Sequence, residues 1–315
     1  MITCVIMGGL GNQLFQIYTT MALSIEMKTS FRFPLHKIGN DKRSVTYWNT
    51  FLKELKTSAS IMNLERLQFP LYKEADFSYK KITIPQDIIK KRGGVLLYGY
   101  YQSYKYFEKE YEKICKYIKL DKARNEIKNL FYDKYFSGDR KVISMHFRLG
   151  DYKSLQYYHP VLDVKYYIES LQLILKKEQD KTMDANAETT FPLTSISSQK
   201  WLILYFCEDE DIVYVETKIK IIREECAKMY KHISIEFERA SSNEEDNKLC
   251  DWKELLLMSC CHHNIIANSS FSWWAGYFND NPDKEVCYPE KWFGPKLANN
   301  DIRDLCPSSW NKIIF

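Results

Sequence analysis

No apolar run in this 315-residue chain is long enough to span a bilayer, and no signal peptide or membrane-spanning run precedes the first strand-like segment, Ile2 to Met7. An integral membrane protein is therefore not expected. A disulfide framework is missing too: the nine cysteines are odd in number and follow no regular spacing, so a reducing compartment is favoured. Internal repeats and proline-rich linkers do not occur, which argues against a solenoid or a string of tethered modules. Charge of one sign is also lacking, because 45 basic residues oppose 41 acidic ones for a net +4. The lysines are dispersed, and Lys90-Lys91-Arg92, the densest basic cluster, reads as solvated surface, so no nucleic-acid footprint is expected.

What the chain does have is 45% apolar residues, enough to fill two cores at this length. Trp201 to Cys207 and Ile265 to Ala267 read as buried strands, Val164 to Leu175 and Val215 to Met229 as helices packed outside them. Two α/β lobes follow, with a boundary near Gly138-Asp139. The polar stretch between Lys176 and Lys200, and a second from Ser241 to Lys248, read as mobile surface insertions.

Three junctions carry the chemistry. The apolar run Ile2 to Met7 leads into Gly8-Gly9-Leu10-Gly11-Asn12-Gln13, followed by a helical periodicity through Leu14, Ile17, Met21 and Ile25. The third glycine of a dinucleotide fingerprint is missing, so a nicotinamide or flavin is disfavoured, and Asn12 and Gln13 could offer amides to a sugar. The run Val142 to Met145 delivers His146, Arg148 and Asp151 to a strand's carboxyl end, where open α/β sheets bind ligands. His146 and Arg148 are expected on one strand face. Arg148 could grip phosphate oxygens with its planar fork; the plainer reading is an ion pair with Asp151. Third, Asn264 to Ala267 enters Asn268-Ser269-Ser270-Phe271-Ser272-Trp273-Trp274, where hydroxyls and unpaired helix N–H groups would suit a diphosphate, or form an ordinary cap.

Together with Leu97 to Phe107 and Leu257-Met258-Ser259, these ordered motifs resemble the alpha-1,2-fucosyltransferases of glycosyltransferase family 11, of the bacterial or virus-encoded type. The resemblance implies a GT-B-type α/β fold, two Rossmann-like lobes with a cleft between them. Residues 1–138 would form the acceptor lobe and 139–315 the donor lobe, with a crossover from about residue 292. It implies an inverting, metal-independent transfer of fucose from GDP-fucose to the 2-hydroxyl of a terminal galactose, in a soluble cytoplasmic enzyme without cofactor. Arg148 would contact the donor diphosphate, with Asp151 as base. His146, Glu254, Asn268, Ser269, Ser270 and Phe271 would bind donor; Gly9, Gly11, Asn12, Gln13, Tyr101, Gln102 and Tyr152 would line the acceptor cleft.

Two departures stand out. Leu149 replaces the second arginine usual in the family's His-x-Arg-Arg-Gly-Asp-Tyr motif, and Glu254 stands where an Asp is common. A carboxylate there suits guanine, whose N1–H and amino group donate together; Asp251 is the reserve. Glu208-Asp209-Glu210-Asp211 contains an Asp-x-Asp after a strand, as a site holding a divalent ion on a diphosphate would, but the resemblance implies an acidic strand end there with no metal role. Cys260-Cys261-His262-His263 offers soft ligands, yet adjacent residues on a helix point different ways and no matching Cys or His pair follows at zinc spacing. Transfer of another nucleotide-linked deoxysugar, or an inactive sugar-binding relative, are the alternatives.

Overall fold

The N-terminal apolar run forms β1 (Ile2–Cys4), buried on both faces, and α1 (Leu10–Glu26) turns its Leu14, Ile17 and Met21 onto it. The computed structural model describes residues 1–35, 46–64, 66–187, 199–241 and 249–315. Two units are separable, Met1–Asn125 with Asn299–Pro307, and Glu126–Ala298 with Ser308–Phe315.

The first unit continues with β2 (Phe33–Pro34), β3 (Ala59–Ser60), β4 (Leu71–Lys73), α2 (Gln86–Arg92), β5 (Val95–Tyr98) and α3 (Tyr111–Ile118), and α4 (Leu120–Leu130) runs through its end. Its main sheet is parallel, in the order β1-β5-β4. The turn between β1 and α1 needs glycine at Gly8, where φ is +77° and a Cβ would lie 2.5 Å from the Asn12 amide. Side chains from α1 hold that turn. Gln16 accepts from Met7 N–H at 3.0 Å and donates to Met7 C=O at 3.2 Å, and Gln13 donates to Gly8 C=O at 3.0 Å.

The second unit contains β6 (Arg140–His146), α5 (Val164–Ala187), β7 (Lys200–Phe206), α6 (Ile212–Met229), β8 (Ser234–Arg239), α7 (Asp251–Ser259), β9 (His263–Ile265), α8 (Ser270–Phe278), β10 (Val286–Pro289) and β11 (Asn311–Ile313). Its six strands are all parallel, in the order β11-β10-β9-β6-β7-β8. The chain therefore starts in the middle of the sheet, builds outward through β7 and β8, then returns to the other side of β6 with β9. That reversal creates a topological switch point between the carboxyl ends of β6 and β9, where the diverging crossovers leave a crevice. Ile143, Met145, Ile203, Tyr205 and Ile265 on the strands pack with Tyr166, Leu171 and Ile174 of α5 and Val215, Ile219 and Ile222 of α6. Each fully buried aliphatic side chain there stabilises by about 1.5–3 kcal/mol.

Polar groups fix the other side. Asn264 donates to Ser144 Oγ at 2.7 Å and Met258 C=O at 2.8 Å, while Asn279 donates to Asn264 Oδ1 and Cys261 C=O, each at 2.8 Å. This buried network joins β6, α7, β9 and the end of α8.

The expected insertion after Leu175 is corrected in part: α5 runs on to Ala187. Its polar continuation is held by charge, Glu178 pairing with Lys141 and Lys181, and Lys177 reaching Glu285 at 2.7 Å. The rest of that stretch, 188–198, and residues 242–248 of the second lie outside the described residues. α6 begins three residues earlier than the periodicity indicated, at Ile212. The terminal segment joins the first unit over Asn299–Pro307 and then supplies the second unit's edge strand, β11.

Candidate functional site

In the second unit the switch point is filled by two loops. The first leaves β6. Phe147 N–H donates to Phe206 C=O at 2.8 Å, extending the ladder one residue, and Leu149 is 2% exposed within the core. Between these anchors Arg148 projects to the partly exposed rim. The expectation that His146 and Arg148 share a strand face is corrected, because β6 ends at His146. His146 is buried instead, and its ring lies 5.5 Å from that of Phe271. Burial, with the Arg148 charge added, lowers its pKa to about 3, so the imidazole is neutral at any working pH. Its Nδ1 has no hydrogen-bond partner.

Arg148 is held on three sides. One guanidinium nitrogen donates to Asp151 Oδ1 at 2.6 Å, another to Glu208, and the group lies 5.1 Å from the Tyr152 ring centroid. The ion pair with Asp151 read from the sequence is present, with Glu208 as a further partner.

The second loop follows β9. Asn268 is 1% exposed and donates its amide hydrogens to Pro160 C=O at 3.0 Å and Trp292 C=O at 3.2 Å; its Oδ1 is unpartnered. Ser269 caps α8, its hydroxyl accepting from Phe271 N–H at 3.3 Å. Ser270 opens the helix, half-buried, and Trp273 and Trp274 anchor it in the interior. The two loops are tied directly, since Tyr152 donates its hydroxyl to Asn268 C=O at 3.2 Å. Tyr152 also stacks on His159 at 4.8 Å, and His159 approaches Phe293. Gly294 and Lys296 N–H donate to Tyr158 and Tyr157 carbonyls, leaving the Tyr157 ring exposed.

Glu254 sits in the first turn of α7. Burial first, then the neighbouring Asp251, raises its pKa to about 7, while Arg239 pulls the other way. Arg239 closes β8 and pairs with Asp209. Asp251 is exposed.

Of the residues expected to line the acceptor cleft, the first unit brings Asn12 and Gln102 together at 2.8 Å, both half-buried. Gly9 is the residue before α1 and Gly11 is buried in its first turn. Gln13 faces inward onto Gly8. Tyr101 is also turned inward, at φ +53° and 2% exposed, with its hydroxyl on Tyr72 C=O at 2.8 Å and its ring against Tyr106. Its ring therefore has no free face for a sugar. Glu74 explains the strained backbone: its two oxygens accept from Tyr100 and Tyr101 N–H at 2.7 and 2.9 Å. Sequence reasoning missed Glu74, as it missed Glu208, Asp211 and Arg239 as site-forming groups. The acidic run after β7 was the one signal for two of these.

No group of three or more potential metal ligands occurs among the described residues. His262 and His263 each use Nδ1 to accept a backbone N–H, from Val142 at 2.9 Å and Glu285 at 3.0 Å.

The family model for Glycosyl transferase family 11 matches residues 200–297. The chain is 24% identical to the O-antigen biosynthesis glycosyltransferase WbnK of Escherichia coli, over 96% of this chain and 97% of that protein. It is likewise 24% identical to an alpha-1,2-colitosyltransferase of Escherichia coli, over 97% of this chain and 96% of that protein. Among solved structures, a mutant of Arabidopsis thaliana FUT1 in complex with GDP superposes with a TM-score of 0.50 at 11% identity, covering 98% of this chain and 75% of that one. The fold class read from the sequence, α/β of GT-B type, stands.

Proposed function

We propose that this chain, a glycosyltransferase related to family 11, transfers L-fucose from GDP-fucose to the 2-hydroxyl of a terminal galactose by a single inverting displacement. The observation that carries the reading is Arg148 at the switch point, tied through Tyr152 to the α8 N-terminus. A diphosphate lying there would meet a guanidinium from one loop and helix N–H groups from the other. Departure of GDP from the anomeric carbon leaves positive charge on the sugar ring and builds negative charge on the β-phosphate. Arg148, with Ser269 and Ser270 at the start of α8, would stabilise that charge, which leaves no need for a metal ion. Neutral His146 orients rather than titrates. Asp151 is assigned the proton of the attacking hydroxyl, a modest task when the leaving group is this good. Glu254 would accept from the guanine N1–H and amino group, and Asn12 with Gln102 would address the acceptor.

Incubation with GDP-fucose and galactose-terminated acceptors, chelator present, alongside Arg148→Ala, tests this. Arg148-dependent GDP release with an alpha-1,2-fucosyl product supports the reading. Release with no transfer to any acceptor would overturn the acceptor assignment, and failure to bind GDP-fucose would overturn the donor. The likeness to an alpha-1,2-colitosyltransferase supports a second reading, transfer of another nucleotide-linked deoxysugar, so the donor panel includes one.

A further inference from the structure

The acidic turn after β7 is the motif for which no chemistry has yet been assigned. Asp211 N–H donates to Glu208 C=O at 3.0 Å, closing the turn, and the two carboxylates at its ends then face the loop that leaves β6. Asp211 is 1% exposed; its Oδ2 accepts from Gly150 N–H at 2.8 Å and its Oδ1 pairs with Lys153. Glu208 is half-exposed, and one of its oxygens lies on Arg148. A Cβ added to Gly150, whose φ is +43°, would stand 2.8 Å from Glu208 Oε2, so the carboxylate rests directly against this glycine. The loop that carries Arg148 is thus fixed at three points: the ladder at Phe147, the core at Leu149, and Asp211 at Gly150.

We propose that the turn Glu208–Asp211 is the positioning element of Arg148: Asp211 fixes the loop that carries the arginine, and Glu208 occupies the guanidinium until a nucleoside diphosphate takes the same nitrogens. This rests on the donor reading above. The chemistry is competition between two anions for one planar fork. A phosphate brings more charge and more acceptors than the carboxylate it displaces, and Glu208, being half in solvent, can swing away at little desolvation cost. Asp211 is a different case. Buried and bonded to the backbone, it stays in place whether or not ligand is bound.

The test is calorimetric titration of GDP, and of inorganic pyrophosphate, into the wild type, Glu208→Gln, Asp211→Ala and Asp211→Asn, each with and without Arg148→Ala, with thermal melts alongside. Glu208→Gln should bind GDP roughly fivefold more tightly at low salt, less so at high salt, with no gain in the Arg148→Ala background. Asp211→Ala should weaken binding about tenfold, and Asp211→Asn should restore most of it, because an amide oxygen still accepts from Gly150 N–H. A purely structural role for Asp211 would lower the melting temperature and leave the Kd of folded protein unchanged. Equal effects with and without Arg148, or no gain for Glu208→Gln, would overturn the proposal. If the wild type binds GDP through Arg148 and the turn variants are silent, only this inference falls; if it binds neither GDP nor pyrophosphate, the donor reading falls and carries this one with it.

Discussion

The Tyr152 hydroxyl donates to the backbone carbonyl of Asn268 across 3.2 Å, joining the loop that carries Arg148 to the helix start that faces it. Two separate stretches of chain thereby become one surface. Tyr152→Phe keeps the ring under Arg148 and removes this link. Transfer should fall roughly tenfold through misplacement, while stability drops by only about 0.5–1.5 kcal/mol. Steady-state kinetics beside urea unfolding would check it; unchanged kcat and KM would mean the link does not position the loops.

Asn268 gives both amide hydrogens to backbone carbonyls, of Pro160 and Trp292. Asn268→Ala strands those acceptors. Asn268→Asp goes further, placing a carboxylate against two carbonyl oxygens, so it should be the more damaging variant, by about 1–3 kcal/mol beyond alanine. Denaturant midpoints of the pair decide, and an aspartate milder than alanine contradicts the geometry.

Leu149→Arg would restore the family's commoner residue. Because Leu149 is buried in the core, the guanidinium would enter apolar surroundings without a partner, destabilising by about 3–5 kcal/mol. The expected outcome is a lowered melting temperature and no tighter donor binding; a stable variant with improved affinity would show that the side chain turns outward.

Glu254 titrates near neutrality, at about 7, because burial disfavours its charged form. If it reads guanine as a carboxylate, GDP affinity rises as pH goes from 6 to 8, and Glu254→Gln flattens the profile. Stability runs the opposite way. The folded pKa is raised, so the contribution is fully present below the ordinary carboxyl value of 4.5 and is lost as pH rises through about 7. Glu254→Gln should therefore gain on the wild type at pH 8 relative to pH 5, read from melting temperatures at both.

Gln16 satisfies both the N–H and the C=O of Met7 while fully buried. Gln16→Leu leaves both without partners and should cost about 2–4 kcal/mol, measured by urea unfolding. A neutral effect would mean that water reaches the turn.

Sequence alone determined most of the elements and pointed to the candidate residues at their ends. Strands such as β7 are apolar on both faces because helices cover both sides of a parallel sheet, and that pattern is local and visible. Glycine at Gly8, a cap at Ser269 and an arginine just past a strand are likewise read from neighbours a few residues apart. Tertiary structure decided what those residues face. Tyr101 is expected from the resemblance to line a cleft, yet Glu74, 27 residues away, bends its backbone inward. The helix α5 outlasts its own apolar pattern because Glu178 finds Lys141 on β6 and Lys177 finds Glu285 just before β10. Arg148 was legible as a residue; its partner Glu208 lies 60 positions on, and only the pairing of β6 with β7 sets the two side by side. Periodicity and caps act over a turn or two of chain, so they can be read directly. Ion pairs between strand ends depend on sheet order, which the folding of the whole unit fixes.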